Sequence, residues 1–482
     1  MSKVIEGLEP KSVFEFFENI SDIPRGSGNE KGISDYLVSF AKERNLEVIQ
    51  DEELNVIIKK PATKGYEDCP TVILQGHMDM VCEKNFDVEH DFLKDPIELV
   101  VEGDFISANG TTLGADNGMA VAYCLAILDS NKIEHPALEI FITTNEEAGM
   151  NGALALDPAN LSGKYLVNLD SEEEGEFLVS CAGGLKTYID IPIKKESATG
   201  KIVKIMVKGL KGGHSGSDID KNRANSNQLM GRILYALNTK TSIQLIDICG
   251  GSKDNAIPRE AIANIVINDD DNKFDNIVDE IVNEIKHEYK TSDSGLTVVV
   301  TKGNEDSYKV VSRETLDKLI FLLTCLPNGI QTMSSDIEGL VESSLNLGVV
   351  TTNDDIIKLT SAVRSSVGSL KELMKYQLGL FAKYTNSEFH VRSEYPEWEY
   401  RKESQLRDIF AKTYEDMYGE KPLIKAIHAG LECGVFDAKI EGIDMISLGP
   451  NMYDVHTPDE KLSISSTRRT WEFLIETLKN IK

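Results

Sequence analysis

Thr71-Val-Ile-Leu-Gln-Gly-His77-Met-Asp79 is an apolar run that ends abruptly in a histidine and a carboxylate. Thr71 to Leu74 lacks polar alternation, so it reads as a buried strand of an α/β sheet. A period of two sends His77 and Asp79 to one side. The aspartate can then stand behind the imidazole and fix its tautomer, as metal-bound histidines require.

Three further segments are expected to deliver acids in the same way. Leu113-Gly-Ala-Asp116-Asn-Gly118 follows a short strand at Phe105 to Ala108 and opens a helix over Met119 to Leu128. The run beginning at Leu138 ends in Thr144-Asn-Glu146-Glu147, and Tyr165-Leu-Val-Asn-Leu-Asp170 is a third apolar strand with an acid at its tip. Sites in open α/β sheets form beyond the carboxyl ends of the strands, which gathers His77, Asp79, Asp116, Glu146, Glu147 and Asp170. That many carboxylates cannot all ionise side by side without a cation. Carboxylates mixed with histidine suit zinc, manganese or cobalt better than copper or calcium. His456, in Leu448-Gly-Pro-Asn-Met-Tyr-Asp-Val-His456-Thr-Pro-Asp459-Glu460, also follows a short apolar segment and joins the set.

These motifs, in this order and spacing, resemble the dinuclear-metal exopeptidases that include carnosinases, tripeptidases and aminoacyl-histidine dipeptidases, and the last of these most of all. Lys211-Gly-Gly-His214-Ser-Gly216, Gly250-Gly-Ser-Lys-Asp-Asn255-Ala-Ile-Pro258, Arg364-Ser365 and Ile427-His428-Ala-Gly430-Leu-Glu-Cys-Gly434 strengthen the likeness, which spans the chain. The resemblance implies two divalent ions, zinc in preference to manganese or cobalt, roughly 3.5 to 4 Å apart. Asp116 would bridge them, His77 and Asp170 would complete one shell, and Glu147 with His456 the other. Asp79 and Glu146 would be catalytic, with Glu146 as general base to a metal-bridged water. His214, Asn255, Arg364, His428 and Gly430 would bind substrate. The implied reaction is hydrolysis of dipeptides with a C-terminal histidine, carnosine-like substrates included. The alternatives are an N-acyl amino acid deacylase with the same metals, and a non-catalytic metal-binding protein. Arg364 would hold the substrate carboxylate through its planar fork. His214, on a glycine-flanked turn, would donate to the developing oxyanion once a lid closes.

Composition agrees. A chain of 482 residues needs two or more domains. Its 79 acids against 51 bases, net −28, argue against a nucleic-acid partner. No apolar run reaches the roughly 18 residues of a membrane span, and Met1 to Pro10 has no signal core. Seven scattered cysteines suit free thiols in a reducing cytoplasm.

The order of elements predicts a sheet-centred catalytic domain with helices on both faces, residues 1–184 and 397–482. It is interrupted at 185–396 by an α+β lid in which helix-strand-strand-helix-strand runs twice, an internal duplication. Ala182-Gly-Gly184 reads as a hinge, and Ser12 with Glu15 as a capping box for the first helix. Single-lid relatives reach the site with a lid histidine across a dimer. A doubled lid could supply it in one chain, which leaves monomer and homodimer both open. Cys82 is expected to be packed, Glu172-Glu-Glu174 a solvated turn, and His90, His135, His287 and His390 structural.

Overall fold

A computed structural model describes residues 4–268 and 271–482; Met1 to Lys3, part of the segment read as lacking a signal core, lie outside it. The chain divides into two compact units. Unit 1 holds residues 4–180, 400–426 and 432–482 among those described, and unit 2 holds 181–399 (less 269–270) and 427–431. The chain thus leaves unit 1 at Ser180, a few residues before the expected position. Ile427–Leu431, expected in the catalytic domain, belongs to the other unit and takes His428 and Gly430 with it.

Unit 1 is built on an eight-stranded sheet in the order Glu47–Gln50, Val56–Lys60, Leu138–Thr143, Val72–His77, Tyr165–Asn168, Asp444–Ser447, Glu176–Cys181, Leu423–Ile427. The central four strands are parallel, and three of them, Leu138–Thr143, Val72–His77 and Tyr165–Asn168, are buried at every residue. Burial on both faces is what an unalternating apolar run encodes. Leu138, Ile140 and Ile142 join the core of the helices Lys11–Ser21 and Ala115–Asp129. Phe141, pointing the other way, meets the ring of Phe436 edge-on at 5.6 Å from the helix Glu432–Lys439. Helices therefore cover both faces. The Ala115–Asp129 helix is buried from Asn117 to Leu128, and its approach to the sheet depends on Gly76. A Cβ there would lie 2.4 Å from both Ala120 Cβ and Asn117 Oδ1.

Two local expectations fail. The first helix starts at Lys11 with the extended Pro10 as its N-cap, so Ser12 lies inside the first turn, and proline offers no polar side chain to cap with. The strand Phe105–Ala108 pairs in a separate four-stranded sheet, so Asp116 is delivered by a helix N-terminus and not by a strand of the main sheet.

Unit 2 centres on an antiparallel nine-stranded sheet. Its order is Thr297–Val311, Lys195–Lys208, Ala261–Ile267, Ile243–Gly250, Val341–Thr352, Ile356–Ser365, Gly183–Pro192, Glu388–Tyr395, with Gly329–Met333 pairing off Val341–Thr352. Helix-strand-strand-helix-strand runs over residues 226–311 and again over 313–395, ignoring two short strands. What repeats is the order of elements. Gly183 and Gly184 lie inside a strand, and a Cβ on either would meet Glu397 N or the Tyr395 hydroxyl at 2.5 Å. They are close-packing positions, which corrects the hinge reading.

Candidate metal centre and substrate residues

His77 ends its strand, 1% exposed. Its Nδ1 lies 3.3 Å from Asp79 Oδ1, and its Nε2 lies 3.2 Å from Asp116 Oδ1 and 3.4 Å from Asp170 Oδ1. With Nδ1–H donating to Asp79, the lone pair of Nε2 faces the acids, the tautomer a metal needs. Asp79, fully buried, also accepts from Ser27 Oγ (2.7 Å) and from the backbone N–H groups of Glu146 (3.0 Å) and Glu147 (3.3 Å). One carboxylate thus orients the imidazole and anchors the turn that carries both glutamates.

That turn is a short helix, Glu146–Gly149, not a strand end. Consecutive side chains of a strand oppose each other; in the helical turn both glutamates reach the site. Three groups of ligand atoms form, each within 4.8 Å: His77, Asp116 and Asp170; His77, Glu146 and Glu147; Asp116, Glu147 and His456. His456 Nε2 lies 3.0 Å from Asp116 Oδ2 and 2.9 Å from Glu147 Oε1. Asn117 ties the set together: its Oδ1 accepts from His77 N at 3.2 Å, and its Nδ2 donates to Leu169 O at 2.7 Å.

The electrostatics test whether this donor set fits divalent ions. Burial pushes the Asp170 carboxyl up to about 6 and Glu146 well above the usual carboxylate range. Burial works against charge on His77 as well, yet Asp170, Asp116 and Asp79 hold its pKa well above the ordinary value. Asp116, against its own burial, is held far below the carboxylate range by His456 and His77. Hydrogen bonds to Asp116 and Glu147 raise His456 to about 11. Two imidazoles are thus the nearest cations for a larger number of acids, and protons make up the deficit. Replacing those protons with two divalent cations satisfies every group, so the set fits the metals that the motifs imply.

In unit 2, Gly213–His214 pairs with Ala256–Ile257, and Ser215 N donates to Asn255 O at 2.8 Å. His214 and Asn255 are thereby brought together. His214 Nδ1 accepts from Gly216 N and Ser217 N, both at 3.3 Å. Burial and the nearby Arg364 lower its pKa, so the ring is neutral with its proton on Nε2. Arg364 Nη1 donates to the Tyr395 hydroxyl at 3.2 Å, while its buried Nε has no hydrogen-bond partner. His428 Nε2 lies 2.7 Å from Ser344 Oγ, and burial with Arg364 pushes its pKa down to about 3. Gly216 must lack a Cβ because the His428 carbonyl would stand 2.6 Å from it.

Residues 73–480 match the pattern of Peptidase family M20/M25/M40. The chain belongs to this family. It is a hydrolase acting on peptide bonds. It is 37% identical over 477 residues to the cytosol non-specific dipeptidase of Escherichia coli, covering 98% of each chain. It is similar to the crystal structure of aminoacylhistidine dipeptidase from Vibrio alginolyticus, with a TM-score of 0.94, 37% identity, and 99% and 98% of the two chains covered. The aminopeptidase PepT from Bacillus cereus shares the fold at a TM-score of 0.57 and 16% identity, over 98% and 99% of the chains. No helix among the described residues is long and apolar enough to cross a membrane.

Beside the motifs of this peptidase stand residues that the sequence did not single out. Arg25, Ser27 and Glu30 come from the glycine-rich turn before the second helix. Glu30 is buried, and its Oε1 accepts from Asn145 N at 3.1 Å. Glu172, read as solvated, is exposed as a residue, but its carboxyl is pushed up to about 7 by partial burial and by Asp116 and Asp170. Cys82, read as packed, is exposed and belongs to none of the ligand groups. His135 is fully buried, as a structural histidine should be.

Proposed function

We propose that this peptidase hydrolyses dipeptides, with preference for those ending in histidine, using two divalent metal ions that are zinc in the cell. The observation that carries the reading is the overlap of the ligand groups: His77, Asp116 and Glu147 each belong to two of them, beside an imidazole already set by Asp79. His77 and Asp170 would hold one ion, Glu147 and His456 the other, and Asp116 both. Bound cations of this kind lower the pKa of water and polarise a carbonyl.

The chain's own residues do the rest. Glu147 belongs to a group with Asp116 and His456, whereas Glu146 shares only the His77 group. This supports Glu147 as ligand and leaves Glu146 free to take a proton from the attacking water and return it to the leaving amine. His214, neutral with Nε2–H exposed as a donor, stabilises the oxyanion. Arg364, with a buried Nε–H unspent, takes the substrate carboxylate bidentately. Asn255, His428 and Gly430 complete the substrate residues. The Escherichia coli relative is named as a cytosol enzyme, and we place this protein in the cytoplasm.

The test is one substrate panel with added zinc, manganese or cobalt: dipeptides ending in histidine, other dipeptides, and N-acetyl amino acids. A dipeptide and an N-acyl amino acid carry the same carboxylate, so Arg364 does not separate them. Fastest turnover is expected on dipeptides ending in histidine; preference for the acetylated set would replace the dipeptidase reading with a deacylase.

A further inference from the structure

Two buried charges outside the ligand set converge on the backbone that carries Asp116. Glu460 is 2% exposed, and its carboxylate accepts from four successive N–H groups: Leu113 at 2.8 Å and Gly114 at 3.0 Å on Oε2, Ala115 at 2.9 Å and Asp116 at 3.4 Å on Oε1. These four N–H groups precede the regular part of the Ala115–Asp129 helix, since Asp116 and Asn117 have non-helical backbone angles, and buried donors of this kind need a partner. Arg25 is likewise 2% exposed. Its Nη2 donates to Gly114 O at 2.5 Å, and its Nη1 to Met78 O at 3.0 Å. The Gly114 peptide therefore lies between two opposite charges, with its N–H on Glu460 and its C=O on Arg25. Gly114 has φ +71°, and a Cβ there would stand 2.6 Å from Arg25 Nη2. The guanidinium fills the space that the missing side chain leaves.

Both charges are also linked to other ligands. Glu460 lies four residues after His456, whose ring contacts the Asp116 carboxylate. Arg25 reaches the carbonyl of Met78, between His77 and Asp79. The pair thus spans three of the ligand-bearing segments through their backbones.

We propose that Arg25 and Glu460 are positioning residues that clamp the 113–116 backbone, fixing where the Asp116 carboxylate stands and so governing retention of the second metal ion. The proposal rests on the dinuclear reading above. Asp116 is the one acid expected to serve both ions, so an error in its position is paid at the weaker of them.

The experiment is calorimetric titration of metal-free protein with zinc, for wild type and for Glu460→Gln, Arg25→Lys and Glu139→Gln. Glu139 is the control: it is 2% exposed and accepts from Ser162 N, Ser162 Oγ and Gly163 N, near the strand ends remote from the ligands. Glu460→Gln is expected to keep the first ion and weaken the second by about 10- to 100-fold, as loss of outer partners does. Its kcat should return when zinc is raised, with KM unchanged. Arg25→Lys keeps the charge but loses the planar fork, and should weaken the second ion by about tenfold. It also serves should Glu460→Gln fail to fold. Glu139→Gln should lower the melting temperature and leave both affinities alone. Fewer than two ions on wild type would overturn the dinuclear reading and the clamp with it. Two ions on wild type, with unchanged affinities in Glu460→Gln or Arg25→Lys, or with equal weakening in Glu139→Gln, would overturn the clamp alone.

Discussion

Unit 1 holds its histidines and acids from behind, whereas the cluster in unit 2 keeps donors in reserve. Asp79 satisfies His77 and the turn of Glu146 and Glu147 at once, and Asn117 joins the segments of His77 and Asp170. In unit 2, Arg364 has one side-chain bond, to Tyr395, and a buried Nε without any. His214 has its Nδ1 occupied by two backbone N–H groups, which leaves Nε2 as the nitrogen that can donate. A cation site needs donors fixed before the ion arrives, since geometry sets affinity. A substrate site needs hydrogen bonds left unmade until substrate binds. Substitutions in the two clusters should therefore fail differently.

The largest effect is expected at Glu146. Glu146→Ala should cut kcat by roughly 10⁴-fold, the upper range for a lost general base, with metal content nearly intact by elemental analysis. Glu147→Ala should lose one ion per chain. Equal metal loss in the two variants would overturn this division of roles and remove the contrast between a ligand and a base on one turn.

His214→Ala comes next. It should keep both metals and near-normal KM while kcat falls by about 10²- to 10³-fold, the effect of one oxyanion donor. An unchanged kcat would make His214 a turn residue. Arg364→Ala should act mainly through KM, which should rise about 10- to 100-fold, because a hydrogen bond to a charged group is worth about 1.5–3 kcal/mol. If its KM held and kcat alone fell, the guanidinium would have to act in the transition state instead.

The donors that the structure gathers into three groups were legible because His77 and Asp170 stand where apolar strands stop, while Asp116 and Glu147 follow such runs on helical turns. Arg25 and Glu460 were not legible, since a charge that acts on backbone N–H and C=O groups selects no pattern in the chain it holds. The same holds for Ile427–Leu431, five residues that join unit 2 although their neighbours on both sides belong to unit 1. Local periodicity carries no record of that excursion. The order of the lid elements was readable where apolar positions recur regularly, as in Arg313–Cys325 and Ala261–Ile267. The strand Thr297–Val311 is long and largely exposed in its middle, where the polar run Lys302 to Ser307 carries no apolar signal of a strand.

The smallest effect expected concerns Glu432, which opens the helix Glu432–Lys439 and is fully buried. Its Oε2 accepts from Gln75 Nε2 at 2.5 Å and Thr143 Oγ1 at 2.8 Å. Burial pushes its pKa from the usual 4.5 up to about 8, against two donors that favour the charge. A carboxyl raised on folding binds its proton more tightly in the native state than in the unfolded one. Its contribution to stability is therefore complete below about pH 4.5 and is lost as pH rises through about 8. His428 has the opposite sign: lowered from 6.5 to about 3, it contributes fully above about pH 6.5 and loses that contribution as pH falls. Glu432→Gln keeps an acceptor for Gln75 and Thr143 and cannot ionise. Scanning calorimetry of metal-free protein should show wild-type stability falling relative to the variant between pH 5 and 8, with the gap widening steadily towards the alkaline end. Parallel curves across that range would mean that Glu432 is already ionised in the fold, balanced by the donors of Gln75 and Thr143 and not by a proton of its own.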